Sequence, residues 1–161
     1  MAEIPRIAIL HPVSFGGSPA EFKYSLPSIV SVVSNVVDVL MSRIGCFRVR
    51  DGSEDDIELA LQEALLNAVI HGNNEDPFKR VHITVRCSAH GDVQITIRDE
   101  GVGFDLGSVP DPIARENPLR THGRGIFLMR TLMDEVSFEH GGSVVRMCKR
   151  RSTARFRSAN L

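Results

Sequence analysis

Several features that would narrow the function of this protein are scarce or missing from its sequence. The chain has no tryptophan, one tyrosine and three cysteines. The cysteines, Cys46, Cys87 and Cys148, are odd in number, far apart and without any C-x-x-C pairing. A zinc site or a disulfide framework is therefore not expected, and we predict buried free thiols in a reducing compartment.

Long apolar runs and an excess of charge of either sign are also missing. No stretch approaches the ~20 apolar residues that span a bilayer, and the run from Ile7 to Leu10 is too short for the core of a signal peptide. The net charge of −1 gives no global basic field that would attract nucleic acid. We expect a cytoplasmic protein that binds neither membrane nor nucleic acid directly.

The remaining composition is that of an ordinary globular protein. Of 161 residues, 42% are hydrophobic and 24% are charged, close to the average for soluble domains. We predict one domain over residues 21–150. Residues 1–20, in which proline and glycine cluster without periodicity, form an N-terminal appendage, and residues 151–161 form a basic C-terminal tail.

The spacing of apolar residues predicts three helices, at about 28–43, 54–71 and 125–133. A stripe that begins at Ile29 marks the first helix. For the second, Ser53 to Asp56 can form a capping box and Gly72 can stop the helix.

Alternation of apolar and polar residues predicts the strands. A weak edge strand is expected at 21–25, a hairpin at 81–87 and 93–98, and a second hairpin at 136–139 and 143–149. Between the hairpins lies a proline-containing stretch without periodicity that ends near Gly123. Such long loops in compact domains are usually functional, often as lids.

A polar pair interrupts the second predicted helix. Glu63 and Asn67 are four residues apart, so they lie on one helix face. Polar pairs with this spacing also occur on solvated helix surfaces, so the pair alone does not define a site.

The end of the first hairpin carries a glycine motif. Asp99 is followed by Gly101 and Gly103, which permit backbone angles and close ligand approach that a Cβ would forbid. A dinucleotide G-x-G-x-x-G interpretation fails, because no third glycine and no helix follow.

A second glycine motif, Gly123-Arg124-Gly125, opens the third predicted helix. Free backbone amides and the positive end of the helix dipole can hold phosphate oxygens there. Each of the three signals is weak alone, and their order along the chain makes the combination specific.

Three segments together resemble the ATP-binding boxes of the gyrase, chaperone and histidine-kinase (GHKL) superfamily. They are Glu63-Ala-Leu-Leu-Asn67-Ala-Val-Ile-His-Gly72, Asp99-Glu-Gly-Val-Gly103 and Gly123-Arg-Gly-Ile-Phe-Leu-Met129. Within that superfamily the chain is most similar to the anti-sigma-factor serine/threonine kinases, over about residues 21–150. The resemblance implies an α/β two-layer sandwich of the Bergerat type, with a mixed, mostly antiparallel sheet covered on one face by helices.

The resemblance also implies ATP and Mg²⁺ as cofactors and assigns roles to single residues. Glu63 would be the general base, Asn67 would complete a Mg²⁺ shell formed mainly by phosphate oxygens and water, and Asp99 would accept a hydrogen bond from the adenine amino group. The other implied nucleotide-binding residues are Gly101, Gly103, Thr121, Gly123, Arg124 and Gly125.

The activity implied by the resemblance is phosphorylation of a serine or threonine on an anti-sigma factor antagonist, in a module where the kinase also sequesters a sigma factor. A homodimer, formed through the first strand and helix, is implied as well. Two departures leave alternatives open: Arg124 occupies the middle of the glycine box, and residues 1–20 have no counterpart. The alternatives are a nucleotide-gated binding protein without kinase activity and a detached ATPase of a two-component system.

Overall fold

The computed structural model describes residues 19–47, 53–103 and 124–151. The predicted appendage, the lid and the basic tail fall almost entirely outside these ranges. Thr121 and Gly123, two of the predicted nucleotide-binding residues, also lie outside the described residues.

Five strands form one sheet in the order β1-β2-β3-β5-β4, and each of the four neighbouring pairs is antiparallel. Their bounds are β1 Ala20–Pro27, β2 Arg80–Cys87, β3 Val93–Arg98, β4 Glu135–Glu139 and β5 Val144–Lys149. The edge strand and both predicted hairpins are confirmed. The second hairpin turns through His140–Gly142, where all three residues have positive φ.

Alternation of buried and less buried residues, most regular in β2 and β3, gives the sheet one apolar face and one polar face. In the register, Tyr24 pairs with Ile83, Ile83 with Ile97, and Ile97 with Val145. All four side chains are buried, with at most 7% exposure. This row lies at the centre of the core.

Three helices cover the apolar face: α1 Val33–Ile44, α2 Glu54–Leu66 and α3 Arg124–Leu132. The two-layer sandwich and its mostly antiparallel sheet are thereby confirmed. Within residues 19–47, 53–103 and 124–151, no helix is both long and apolar enough to cross a membrane.

The start of the first helix was predicted too early. Pro27 ends β1, a short 3₁₀ turn spans Val30–Val32, and the α-helix begins only at Val33. Ile29, expected on the buried stripe, is 37% exposed. Five residues of α1 face the core with three- and four-residue spacing: Val33, Val36, Val37, Leu40 and Ile44.

The hydrogen bond expected from the Ser53 side chain in the capping box is not formed. Helix α2 begins after Ser53 as expected, but the Ser53 side chain makes no capping hydrogen bond. Asp56 accepts a hydrogen bond of 2.8 Å from Nζ of Lys149 instead. Lys149 is 8% exposed and also donates to the carbonyl of Leu132, so it ties the start of α2 to the end of α3.

The second predicted helix also ends differently. After Leu66 the chain continues as a π-helical turn, Asn67–Gly72, in which the N–H of Asn73 donates to the carbonyl of Ala68 over 2.9 Å. Single π-helical turns often occur at functional sites. Periodicity does not reveal this turn, because its residues are as apolar as those of an ordinary helix.

The prediction of three buried thiols was wrong for one cysteine. Cys87 is buried and Cys148 is partly buried, whereas Cys46 is exposed. Cys46 follows the last turn of α1, beyond the part of the helix that packs on the sheet. Burial raises the pKa of the Cys87 thiol to about 11, so this thiol stays protonated and unreactive at neutral pH.

Candidate functional site

Glu63 and Asn67 lie against the first turn of α3. A Cβ on Gly125 would lie 2.6 Å from Oε2 of Glu63 and 3.1 Å from Nδ2 of Asn67. Only a glycine allows these two side chains to approach the backbone so closely. The pair Glu63 and Asn67, which spans the junction of α2 and the π-helical turn, therefore belongs to one site with Gly125.

The amino-terminal end of α3 presents backbone amides without a large side chain at its second residue. Gly125 is buried, whereas Arg124 before it is exposed. An anion at this end would meet the N–H groups of the first helical turn and the positive end of the helix dipole. The carboxylate of Glu63 and the amide of Asn67 lie beside the same end.

Asp99 directly follows β3 and continues its alternation, so its side chain points to the core face with Val93, Ile95 and Ile97. The residue is 6% exposed. Burial raises the pKa of the Asp99 carboxyl group, and the Gly101 N–H, which donates to Oδ1 over 2.8 Å, opposes that rise. A buried carboxylate among apolar side chains is suited to accept a hydrogen bond from a ligand.

Two glycines hold the Asp99 carboxylate between backbone segments. A Cβ on Gly72 would lie 2.4 Å from Oδ2 of Asp99, and a Cβ on Gly101 would lie 1.9 Å from the carbonyl oxygen of Gly72. The turn that ends the π-helix and the turn after β3 are therefore in direct contact.

Gly103 packs on the turn between β4 and β5. Its φ is +81°, and a Cβ there would lie 2.3 Å from the carbonyl oxygen of Gly141. The predicted need for glycine at this position follows from both the backbone angle and the available space.

One small cavity connects the two parts of the site. Asn67 and Asp99 both line it, and apolar side chains form most of the remaining wall: Ala64, Ala68, Ile97, Met129, Phe138 and Val145. These side chains enclose a volume of about 20 Å³, room for about one water molecule.

Sequence reasoning missed the structural roles of two residues beside the site. Asn73 is fully buried, and its side chain bonds to the loop after β3. Gly72 was expected only as a helix stop. The signal for Asp99 on the core face was present in the alternation of β3, whereas nothing in the local sequence distinguishes Asn73 from an exposed turn residue.

The chain belongs to the histidine kinase-like ATPase domain family, whose model matches residues 26–149. The matched range includes Glu63, Asn67, Asp99 and all three glycine positions that contact them. Membership of this family implies ATP binding.

Known proteins similar to this chain carry the name anti-sigma F factor. The protein from Bacillus velezensis is 34% identical over 105 residues, and that from Bacillus subtilis is 35% identical over 105 residues. Both matches cover 62% of this chain and 71% of the relative. The protein from Geobacillus stearothermophilus is 41% identical over 86 residues, which cover 52% of this chain and 58% of the relative.

Proposed function

We propose that this chain is an ATP-dependent anti-sigma factor that phosphorylates a serine or threonine of an antagonist protein in a partner-switching module. The observation that carries the proposal is the close approach of Glu63 and Asn67 to Gly125 at the start of α3. This contact brings a carboxylate, a neutral amide and free backbone amides to one point. Phosphoryl transfer needs a base for the attacking hydroxyl and polar groups that stabilise the phosphates.

Glu63 acts as the general base in this proposal. It accepts the proton of the attacking hydroxyl while the hydroxyl oxygen forms a bond to the γ-phosphorus, and the bond from that phosphorus to the bridging oxygen breaks to leave ADP. Asn67, four residues later at the start of the π-helical turn, directs its amide to the same helix start. Its carbonyl oxygen would be a ligand of the Mg²⁺ that accompanies ATP, and the ion would supply positive charge to the phosphates.

The phosphates lie on the amides at the start of α3 in the proposed complex. Gly125 leaves room for them, and the exposed Arg124 adds positive charge on the solvent side. Gly123 and Thr121 are assigned to the phosphate-binding segment by the sequence resemblance alone.

Asp99 selects adenine in the proposed complex. Its carboxylate accepts a hydrogen bond from the adenine amino group, which guanine replaces with a carbonyl. Gly101 and Gly103 shape the loop beside the base, since both positions lack space for a Cβ. The buried setting of Asp99 favours this selectivity, because a mismatched base would leave the carboxylate without its hydrogen bond to the ligand.

Incubation with labelled ATP, Mg²⁺ and the cognate antagonist tests the activity. We expect label on serine or threonine of the antagonist. The variant Glu63→Ala should lose transfer while largely keeping nucleotide affinity, and Glu58→Ala, an exposed glutamate on the same helix, serves as the matched control. ATP binding without transfer would favour the nucleotide-gated binding protein, and label on histidine would favour the two-component alternative.

The partners of the proposed protein are a sigma factor and its anti-sigma factor antagonist, in the cytoplasm. We also propose a homodimer that uses β1 and α1. Two features support this: β1 is an edge strand, and Ile29 and Val30, just before α1, are 37% and 38% exposed. A pull-down from the source cell with and without ATP identifies the partners, and light scattering gives the oligomeric state. A monomer at all concentrations would contradict the dimer.

A further inference from the structure

Asn73 lies immediately after the π-helical turn and is fully buried. The wider turn places it inside the molecule, where its backbone N–H reaches the carbonyl of Ala68. A buried polar side chain is costly unless its hydrogen bonds are made. The partners of Asn73 therefore indicate why an asparagine occupies this position.

Both polar ends of the Asn73 side chain are bonded to backbone. Its Nδ2 donates to the carbonyl of Arg80 over 3.0 Å, and its Oδ1 accepts from the N–H of Glu100 over 2.8 Å. Arg80 begins β2, and Glu100 lies in the loop after β3. One side chain thus fixes that loop to the neighbouring strand from inside the protein.

The peptide that Asn73 holds is the one that links Asp99 to Glu100. Two further contacts restrict the orientation of the Asp99 side chain. The Gly101 N–H donates to Oδ1, and the backbone of Gly72 packs against Oδ2. We propose that Asn73 is a positioning residue for base selection, which sets the orientation of the Asp99 carboxylate toward adenine. This inference rests on the proposed function, in particular on the role of Asp99.

A second tie holds the same loop from the solvent side. The Glu100 carboxylate accepts from the N–H of Arg80 over 2.9 Å and lies 3.0 Å from Nε2 of His82. These side chains are about 40% exposed, so water can replace their contacts at little cost. The buried hydrogen bonds of Asn73 therefore hold the loop more strongly than the exposed contacts of Glu100 do. The variant Glu100→Gln is the matched control for Asn73→Ala.

The test compares the affinities of Asn73→Ala and the unchanged protein for ATP and for GTP by calorimetry. Truncation leaves the Glu100 N–H and the Arg80 carbonyl without their partner, so the loop shifts. We expect about a tenfold loss of ATP affinity with no change for GTP, because guanine does not use Asp99. At saturating ATP the rate of transfer should be unchanged, since the side-chain hydrogen bonds of Asn73 go to Arg80 and Glu100 and not to Glu63 or Asn67.

A double-mutant cycle with Asp99→Asn separates positioning from a general structural role. If Asn73 acts through Asp99, Asn73→Ala causes no further loss of base selectivity once Asp99 has been replaced. Val85→Ala, a core substitution in β2, provides a variant with lowered stability and an intact site, and it should keep full selectivity. Asn73→Ser replaces Asn73→Ala if the alanine variant does not fold.

The two proposals fail in different ways. If the unchanged protein does not prefer ATP over GTP, the proposed role of Asp99 is wrong whatever Asn73 does. If the unchanged protein prefers ATP and a folded Asn73 variant keeps the same preference, the role of Asn73 is overturned while the proposed function stands. Additive effects in the double-mutant cycle would overturn it as well.

Discussion

The carboxylate of Asp99 rests directly on the backbone of Gly72: a Cβ at position 72 would lie 2.4 Å from Oδ2. These residues are separated by a strand hairpin in sequence, and they meet because the π-helical turn ends where β3 ends. The contact leaves no room for any side chain other than hydrogen at position 72. It also removes the carboxylate from water and so affects how Asp99 titrates.

Replacing Asp99 with asparagine should separate stability from binding. Burial raises the pKa of Asp99, so the folded protein binds this proton more tightly than the unfolded chain does. Stability through this group therefore rises as the pH falls through the folded pKa, and the charged form is a cost at pH 7. We expect Asp99→Asn to keep or raise Tm at pH 7 and to lower ATP affinity by about tenfold or more.

Thermal unfolding and calorimetry over a pH series measure both effects for Asp99→Asn. The difference in Tm between the two proteins should shrink toward acid pH, and the ATP affinity of the unchanged protein should fall there as Asp99 becomes protonated. A lower Tm of the variant at pH 7 would contradict the assigned cost of the buried charge.

Gly125→Ala should impair the site and leave the fold intact. A Cβ would lie 2.6 Å from Oε2 of Glu63, and a glutamate side chain can move away. In a helix alanine is favoured over glycine by about 1 kcal/mol, so Tm should not fall. Displacement of the base by about 1 Å can cost roughly a hundredfold in rate, which labelled transfer measures.

The control for Gly125→Ala is Gly45→Ala, at the end of α1 with a helical φ of −61°. Its added Cβ would meet only backbone, at 3.3 Å from the carbonyl oxygen of Met41. Equal activity losses in the two variants would show that the contact with Glu63 is not the cause.

Gly103→Ala and Gly141→Ala form a matched pair. Both glycines have positive φ, +81° and +63°, so alanine is strained by about 1–2 kcal/mol at either position. At Gly103 the Cβ would also lie 2.3 Å from the Gly141 carbonyl oxygen, whereas at Gly141 it meets nothing within 4 Å. Chemical denaturation should show the larger loss for Gly103→Ala, and ATP affinity should fall in that variant alone.

Lys149→Met tests the tie between α2 and α3. The lysine side chain is 10% exposed and that of Asp56 is 37% exposed, so Asp56 can regain water while the Leu132 carbonyl loses its donor. We expect a loss of about 1–3 kcal/mol in the free energy of unfolding and unchanged ATP affinity. Arg146→Met, which breaks an exposed pair with Glu139, should cost less than about 1 kcal/mol.

The sequence predicts most of the fold because its elements are marked by local patterns. The alternation in β2 and β3 and the three- and four-residue spacing in α1 follow from which face each side chain must bury. Errors occur where a boundary depends on contacts elsewhere. Helix α1 begins late because Pro27 still pairs with Arg80 in the sheet, and the bond of Asp56 to Lys149 depends on β5, which is distant in the sequence.

For the candidate site, the sequence supplied the residue types and their order. Glu63 and Asn67 on one helix face, Asp99 before two glycines and Gly125 at a helix start can all be identified from spacing alone. Their roles in ATP binding and transfer stay predictions for the experiments above.

Only the tertiary structure decided how these segments meet. The contacts of Gly125 with Glu63 and of Gly72 with Asp99, and the burial of Asn73, join residues that lie far apart in the chain. Local patterns report which face of a helix or strand is buried, but not which distant backbone will occupy the space beside a glycine. That choice depends on the packing of the whole core.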